Sequence, residues 1–454
     1  MNVIKLSIPL VISLGLLATP LLEAKVDAKT AAKLGTTLTP IGAEKAGNKA
    51  GTIPAWTGGI TSAPKGYNPK KMHIDPYASD KVLYTVSSEN VAEHADKLSP
   101  GQLAMFKRYP NTFKMNVYPT RRSASYPELV YEASKRNATI AELNKSGNGV
   151  KYAGVTSPFP IPNNGLEAIW NHLLRYRSGQ ITRTTGQAAP TASGKYVMVD
   201  IEETIYFPYN QPGATVEGVN NRFAYFLQTV KSPARLAGNI LLVHDTLDQN
   251  AEPRMAWSYN PGQRRVRRAP NIAYDFPGTA SDNQRTTDQF DMFNGSPERY
   301  TWTLKGKQEM LVPYNSFKAH GSDVRASDLI NKGHLNSDHL RYELHRVWVV
   351  DANIKKGTSH IYPRKTFYLD EDSWGILVAD QYDGRGNMWR VSEAHVINYY
   401  QVPMIWDTLQ VHYDLSNGRY IALGFNNQGP VDKFDFKTSK KDFTPSKLRR
   451  AGRR

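Results

Sequence analysis

From residue 195 to residue 425 the chain repeats one local pattern: short segments of alternating apolar and polar side chains, separated by turn residues. In 195–205 (KYVMVDIEETI), Val197, Val199 and Ile201 fall on one face, Asp200 and Glu202 on the other. That is the period-two mark of a half-buried strand. The texture recurs at 222–230, 239–246, 254–259, 264–268, 300–304 and 343–350, then at 360–369, 375–382, 388–394, 406–413 and 420–425. Several breaks are hairpin chemistry, as at Asn260-Pro261-Gly262, Asp383-Gly384 and Asn417-Gly418. Such short links leave no room for the crossovers that parallel strands need, which argues against a doubly wound α/β enzyme. The expected fold class is mainly β (α+β): a large antiparallel sheet over 161–436, curled as an open half-barrel.

Four helices are expected ahead of the sheet. Ser88 caps one running to about Lys97, and Ser99-Pro100 opens another to Arg108. Residues 127–144 have helical spacing at Leu129, Ala133, Ile140 and Leu143. Residues 165–177 (GLEAIWNHLLRYR) put Leu166, Ile169, Trp170, Leu173 and Leu174 on one stripe and stop before Gly179. A sheet that curls without closing has a greasy concave face, and helix 165–177 is the expected lid. Residues 25–87 are rich in Gly, Pro, Lys and Thr and suggest an extended arm, making 25–160 an N-terminal region of arm and helices. Residues 437–454 carry eight basic residues and one acidic. They suggest a disordered basic tail, in its functional version a handle for an anionic membrane surface.

Met1 to Lys5 form a short basic start, Leu6 to Leu22 an apolar run, and Glu23-Ala24 a cleavage region. This has the form of a secretory signal peptide cleaved after Ala24. The rival is an uncleaved anchor, against which Pro9, Pro20 and the short apolar core all speak. Export gives the formal charge of +16 its meaning. Anionic lipid or a membrane protein becomes the expected partner and nucleic acid does not, since neither an RNP motif nor zinc-finger spacing is present. The absence of cysteine removes disulfides, thiolate metal sites, a cysteine nucleophile and an N-terminal lipid anchor.

No catalytic constellation emerges, and no cofactor is called for. The nucleophile elbow, phosphate loop, H-E-x-x-H pair and dinucleotide fingerprint are all missing. His320, His334, His339, His345 and His360 are clustered, but their spacings match neither a strand pair nor a helix pair of zinc ligands. Asp370-Glu371-Asp372 lacks the glycine and ligand alternation of a calcium loop. Asp282, Asp288 and Asp291 sit among turn formers. The expectation is a protein that is not an enzyme and holds no metal.

The sharpest local feature is 257–270 (WSYNPGQRRVRRAP). A strand with Trp257 and Tyr259 turns at Pro261-Gly262 and returns with Arg264, Arg265, Arg267 and Arg268 around Val266. Period two sets Arg264 and Arg268 on one face, Arg265 and Arg267 on the other. One pair can face solvent; the other must meet carboxylates such as Asp275, Asp282, Asp288 or Asp291, or line a cavity that receives an anion. Aromatic residues fill the other strands, and those nominated for a trough are Trp348, Phe367 and Trp389, with Trp170 from the lid.

Several blocks resemble the proteobacterial domain-of-unknown-function 1329 family. They are 51–59 (GTIPAWTGG), 165–172 (GLEAIWNH), 257–270, 288–293 (DQFDMF), 342–350 (YELHRVWVV) and 367–374 (FYLDEDSW). The resemblance implies a β portion similar to the carriers of the Lol lipoprotein-trafficking system, an open half-barrel holding acyl chains under a helical lid. It brings no catalytic residues. It implies a periplasmic shuttle for lipid, lipoprotein or other hydrophobic cargo, alongside an inner-membrane export pump of the resistance–nodulation–division class and an outer-membrane protein. Two rivals stand: a scaffold in an envelope assembly, and an envelope lipid or glycan hydrolase using Asp370 or Asp372 near His345 or His360.

Overall fold

The computed structural model describes residues 25–269 and 274–452; the expected signal peptide, 1–24, lies outside them. Thirteen strands make one wide sheet. Six lead out from its middle: β1 (Gln180–Ala188), β2 (Val199–Tyr206), β3 (Arg222–Val230), β4 (Ile240–Thr246), β5 (Met255–Asn260) and β6 (Arg265–Arg268). Seven return from the far edge: β7 (Tyr300–Pro313), β8 (Tyr342–Ile354), β9 (Arg364–Asp370), β10 (Ile376–Tyr382), β11 (Met388–Asn398), β12 (Ile405–Asp414) and β13 (Arg419–Phe425). Each strand pairs antiparallel with its chain neighbour. The exceptions are β6 and β7, which do not pair with each other, and the seam, where β13 pairs with β1 through Ala422↔Ala188 and Leu423↔Gln187. β6 and β7 are the edges, so the sheet is curled and unclosed, the open antiparallel half-barrel expected. Two short strands, Tyr84–Val86 and Met115–Val117, attach beside β8, the second by a single parallel pairing at Tyr342.

Two strands depart from the sequence reading. β7 continues past Leu304 to Pro313, because a bulge at Gly306 (φ +106°) absorbs the break in alternation at Lys305-Gly306-Lys307. β1 was not anticipated. Its QITRTTGQA run has little apolar content, yet it joins the two halves of the sheet.

The longer helices are α1 (Pro100–Arg108), α2 (Glu128–Ile140), α3 (Gly165–Leu174) and α4 (Pro445–Gly452). Ser99 and Gln102 close a capping box on α1. Of the expected helix at 88–97, a 3-10 segment at Val91–Lys97 forms. α3, the helix expected as the lid, lies on β7 and β8 with every residue from Glu167 to Leu174 buried. A Cβ on Gly165 would come within 2.8 Å of the Thr303 backbone, so glycine lets the helix settle this low. Its Ile169, Trp170, Leu173 and Leu174 are each worth roughly 1.5–3 kcal/mol as buried side chains.

The expected disordered tail is also corrected. Phe443 and Leu448, buried, pack against Tyr225, Ile240, Leu242 and Tyr259 on the convex face, and α4 follows. Two apolar anchors in a basic segment suffice to dock it. Among the described residues, no helix is long and apolar enough to cross a membrane.

Candidate functional site

An apolar cavity of about 80 Å³ lies between the concave face of β2–β4 and the segment 274–299, which carries the chain from β6 back to β7. Strand periodicity builds the floor. Phe226 on β3 and Leu241 and Val243 on β4 project to this face, and a bulge between Arg222 and Ala224 turns both Phe223 and Ala224 toward it. Leu173 of α3 and Phe290 of the crossing segment close the sides. The cavity is partly open to solvent and offers room for several waters or a short run of methylenes.

Three guanidiniums border it. Arg177 donates to Asp291 at 2.6 Å, and Arg254 pairs with Asp245 and also donates to the Asn294 carbonyl. The third is Arg285, 4% exposed. Although burial works against its charge, Arg175 and Arg177 hold Asp291 well below the usual carboxylate range; Trp406 Nε1 donates to it at 3.0 Å. His172 anchors this corner. Its Nδ1 accepts from the Ile376 N–H at 3.2 Å, so Nε2 carries the hydrogen and donates to the Asp291 carbonyl at 2.9 Å. Burial and Arg175 lower its pKa to about 3, and the ring is neutral.

The ten residues singled out in sequence do not converge here. Arg265 and Arg267 share the cavity's face of the sheet: Arg267 stands opposite Ser258, and Ser258 opposite the cavity-lining Leu241. Two strand spacings, about 10 Å, separate Arg267 from that wall. Arg264, Arg265, Arg267 and Arg268 are all exposed and, among the described residues, form no ion pair. The aspartates proposed to meet them serve others: Asp288 takes Lys365 (2.7 Å) and His360 (3.0 Å), Asp282 takes Arg419, and Asp291 the pair above. Trp257, Tyr259 and Arg268 lie on the opposite, α4-covered face. Trp348 stacks on Trp374, Phe367 packs on Phe293, and Trp170 donates to the Gly147 carbonyl at 3.0 Å. Trp389 donates to Asp414 at 3.2 Å. None of these four lines the cavity.

His345, Asp370 and Asp372 do meet, with potential ligand atoms within 4.8 Å of one another. All three are buried and already engaged. His345 Nε2 faces Glu343 (3.0 Å), Arg122 donates twice to Asp372 (2.8 and 2.7 Å), and Tyr314 and Ser373 donate to Asp370. Burial and Asp372 push Asp370 up to about 6. The network ties the arm to the sheet, since Arg122 also donates to the Glu44 carbonyl at 2.8 Å. A larger cavity of about 680 Å³ lies under arm residues 66–80. Its lining mixes polar and apolar side chains, and its Arg341 is held by Asp80 (2.7 Å) and Glu343 (2.6 Å).

The sequence reading missed Phe226, Phe290 and Arg285. Alternation along 222–230 carried the signal for Phe226; the turn-rich surroundings of Arg285 and Phe290 carried none.

A wide, unclosed antiparallel sheet with an apolar cavity roofed by its own crossing segment makes this a cavity-bearing half-barrel protein. The chain belongs to the family described as Protein of unknown function (DUF1329), which it matches over residues 85–449. It is 50% identical over 443 residues to the uncharacterized protein PA3922 of Pseudomonas aeruginosa, covering 97% of each chain. Among solved structures it is similar to an outer-membrane lipoprotein-sorting-like domain from Vibrio parahaemolyticus (13% identity, TM-score 0.41, 60% of this chain and 92% of that one). It is also similar to a DUF1329 protein from Desulfovibrio piger (15%, TM-score 0.39, 60% and 92%).

Proposed function

We propose that the protein is a non-enzymatic carrier that takes an acyl chain of a lipid or lipidated molecule into the β2–β4 cavity. The observation that carries this reading is the cavity itself: partly open, floored by Phe223, Phe226, Leu241 and Val243, on the concave face of a sheet that does not close. Each methylene moved there from water is worth about 0.8 kcal/mol. Arg265 and Arg267 stand exposed on the same face, and the exposed Lys447, Arg449 and Arg450 of α4 pack beside β6. Together they form a basic edge suited to an anionic membrane or headgroup. Action in the periplasm, with hand-over to an export pump and an outer-membrane protein, completes the proposal.

Native mass spectrometry with lipid extraction of the purified protein tests it. A reproducible lipid or fatty-acid mass is expected, reduced in Ala224→Leu, which narrows the cavity. A clean apo mass across growth conditions, with no uptake of added lipid, refutes it.

A further inference from the structure

Arg285 is the one charge at the cavity that the fold leaves without a counterion among the described residues. Its side chain is 4% exposed, no carboxylate oxygen lies within 4.0 Å, and Nε has no hydrogen-bond partner. Nη1 donates only to the neighbouring Thr286 carbonyl at 3.3 Å. The nearby carboxylates are spoken for: Asp245 by Arg254, and Glu203 by Arg183 (2.8 Å) and Gln228 (2.9 Å). Glu203 acts on Arg285 only at longer range, and burial lowers its pKa to about 10, which keeps it charged at neutral pH. His412, the other basic group it influences, is held neutral by burial and by Arg285 itself. Two neutral acceptors near the cavity, Gln228 Oε1 and Asn294 Oδ1, also lack donors and suit a water or hydroxyl.

The position is built. Arg285 follows a tight loop in which Ala280, Asp282 and Asn283 all take positive φ (48°, 49° and 60°). A Cβ on Gly278 would come within 2.7 Å of the guanidinium carbon, so glycine leaves room for the head to lie flat against the loop. A buried, charged guanidinium without an anion is costly. An arginine so placed beside an apolar cavity matches an anionic head with an apolar tail.

Resting on the carrier reading, we infer that the cavity binds a single-chain amphipath with an ionised carboxylate head, a fatty-acid anion, and that Arg285 receives the carboxylate while Phe223, Phe226 and Phe290 enclose the chain.

Calorimetric titration of the delipidated full-length protein with decanoate and with 1-decanol tests this. Decanoate is expected to bind about ten- to a hundredfold tighter than the alcohol, the range of a charge-assisted hydrogen bond. Arg285→Gln should remove that difference, and Arg285→Lys should retain part of it. Equal affinities for acid and alcohol in the wild type overturn the inference while leaving the carrier reading intact. No binding of either overturns both. If Arg285→Gln does not fold, carboxyl-13C decanoate on the wild type decides. Its bound carboxyl should titrate below its free value, and a raised value overturns the assignment.

Discussion

Asp380 on β10 offers a sharp test of the packing between sheet and N-terminal region. Its carboxyl is fully buried beneath α1, where Oδ1 accepts from Ser99 Oγ (2.9 Å) and Oδ2 from the Gly101 N–H (3.2 Å) and Tyr368 hydroxyl (3.3 Å). Burial outweighs these donors and pushes the pKa up to about 7. The unfolded chain releases this proton near 3.8, the folded chain only near 7, so the folded state binds more protons across that window. Stability therefore falls as pH rises through it. At about 1.4 kcal/mol per pKa unit, raising the pH from 5.5 to 8 costs about 2 kcal/mol through this group alone. Asp380→Asn replaces the neutral acid by a neutral amide of the same shape, its nitrogen facing Ser99 and its oxygen facing the two donors. Urea unfolding of wild type and variant at both pH values reads the difference. The variant should gain about 2 kcal/mol relative to wild type between pH 5.5 and pH 8. An advantage that is the same at both values, or that shrinks at pH 8, would show that Asp380 is ionised in the fold and that α1 seats on a carboxylate.

Three further outcomes follow from named contacts. Asp291→Ala leaves the buried Arg175 and Arg177 facing each other without their shared carboxylate and should destabilise by about 3–5 kcal/mol, read by thermal unfolding. Leu448→Ala should cost about 2–4 kcal/mol at the α4 interface and raise proteolysis after residue 437; an unchanged digestion pattern would mean that α4 does not dock in solution. Arg265→Ser with Arg267→Ser should leave stability within about 0.5 kcal/mol, both side chains being exposed. The same pair should weaken sedimentation with anionic vesicles at low salt, and unchanged sedimentation would remove the basic edge from the mechanism.

How much was legible depended on which side of an element carries the information. Strands β3 to β6 were readable to within a residue at each end, because hairpin turns and alternation mark them directly. β1 escaped because its Thr, Arg and Gly side chains gain their place from partners far away in sequence, Ala422 to Phe425 on one side and Val199 to Tyr206 on the other. The tail was misread for a related reason. Charge density dominated the local view, whereas the sites that receive Phe443 and Leu448 lie on β3, β4 and β5. The same limit hid the cavity's chemistry. The arginines of the hairpin are conspicuous in sequence and exposed in the fold, while Arg285, isolated among turn residues, lines the cavity with Arg177 and Arg254.

The division of the sheet into two halves explains where its apolar cavity lies. β10 and β12 are buried along their whole length, so both faces of that half are covered. α3 and the crossing segment fill the concave side, and α1 lies against β10 and β11 from the other. The N-terminal region thus makes the β8–β12 half into a closed core, with Arg122, Arg346 and Lys307 binding the arm and sheet through Glu371 and Asp372. β2 alternates buried and partly exposed positions, as a strand with one packed face does. Among the described residues, the β2–β4 half keeps a mainly apolar cavity that the chain's own side chains leave unfilled. A trough spanning the full sheet would accept several acyl chains together. In the proposed carrier, one narrow cavity beside Arg285 would select a single chain with a single negative charge, and the bulk added to the half-barrel would serve specificity by removing the room that a multi-chain lipid needs.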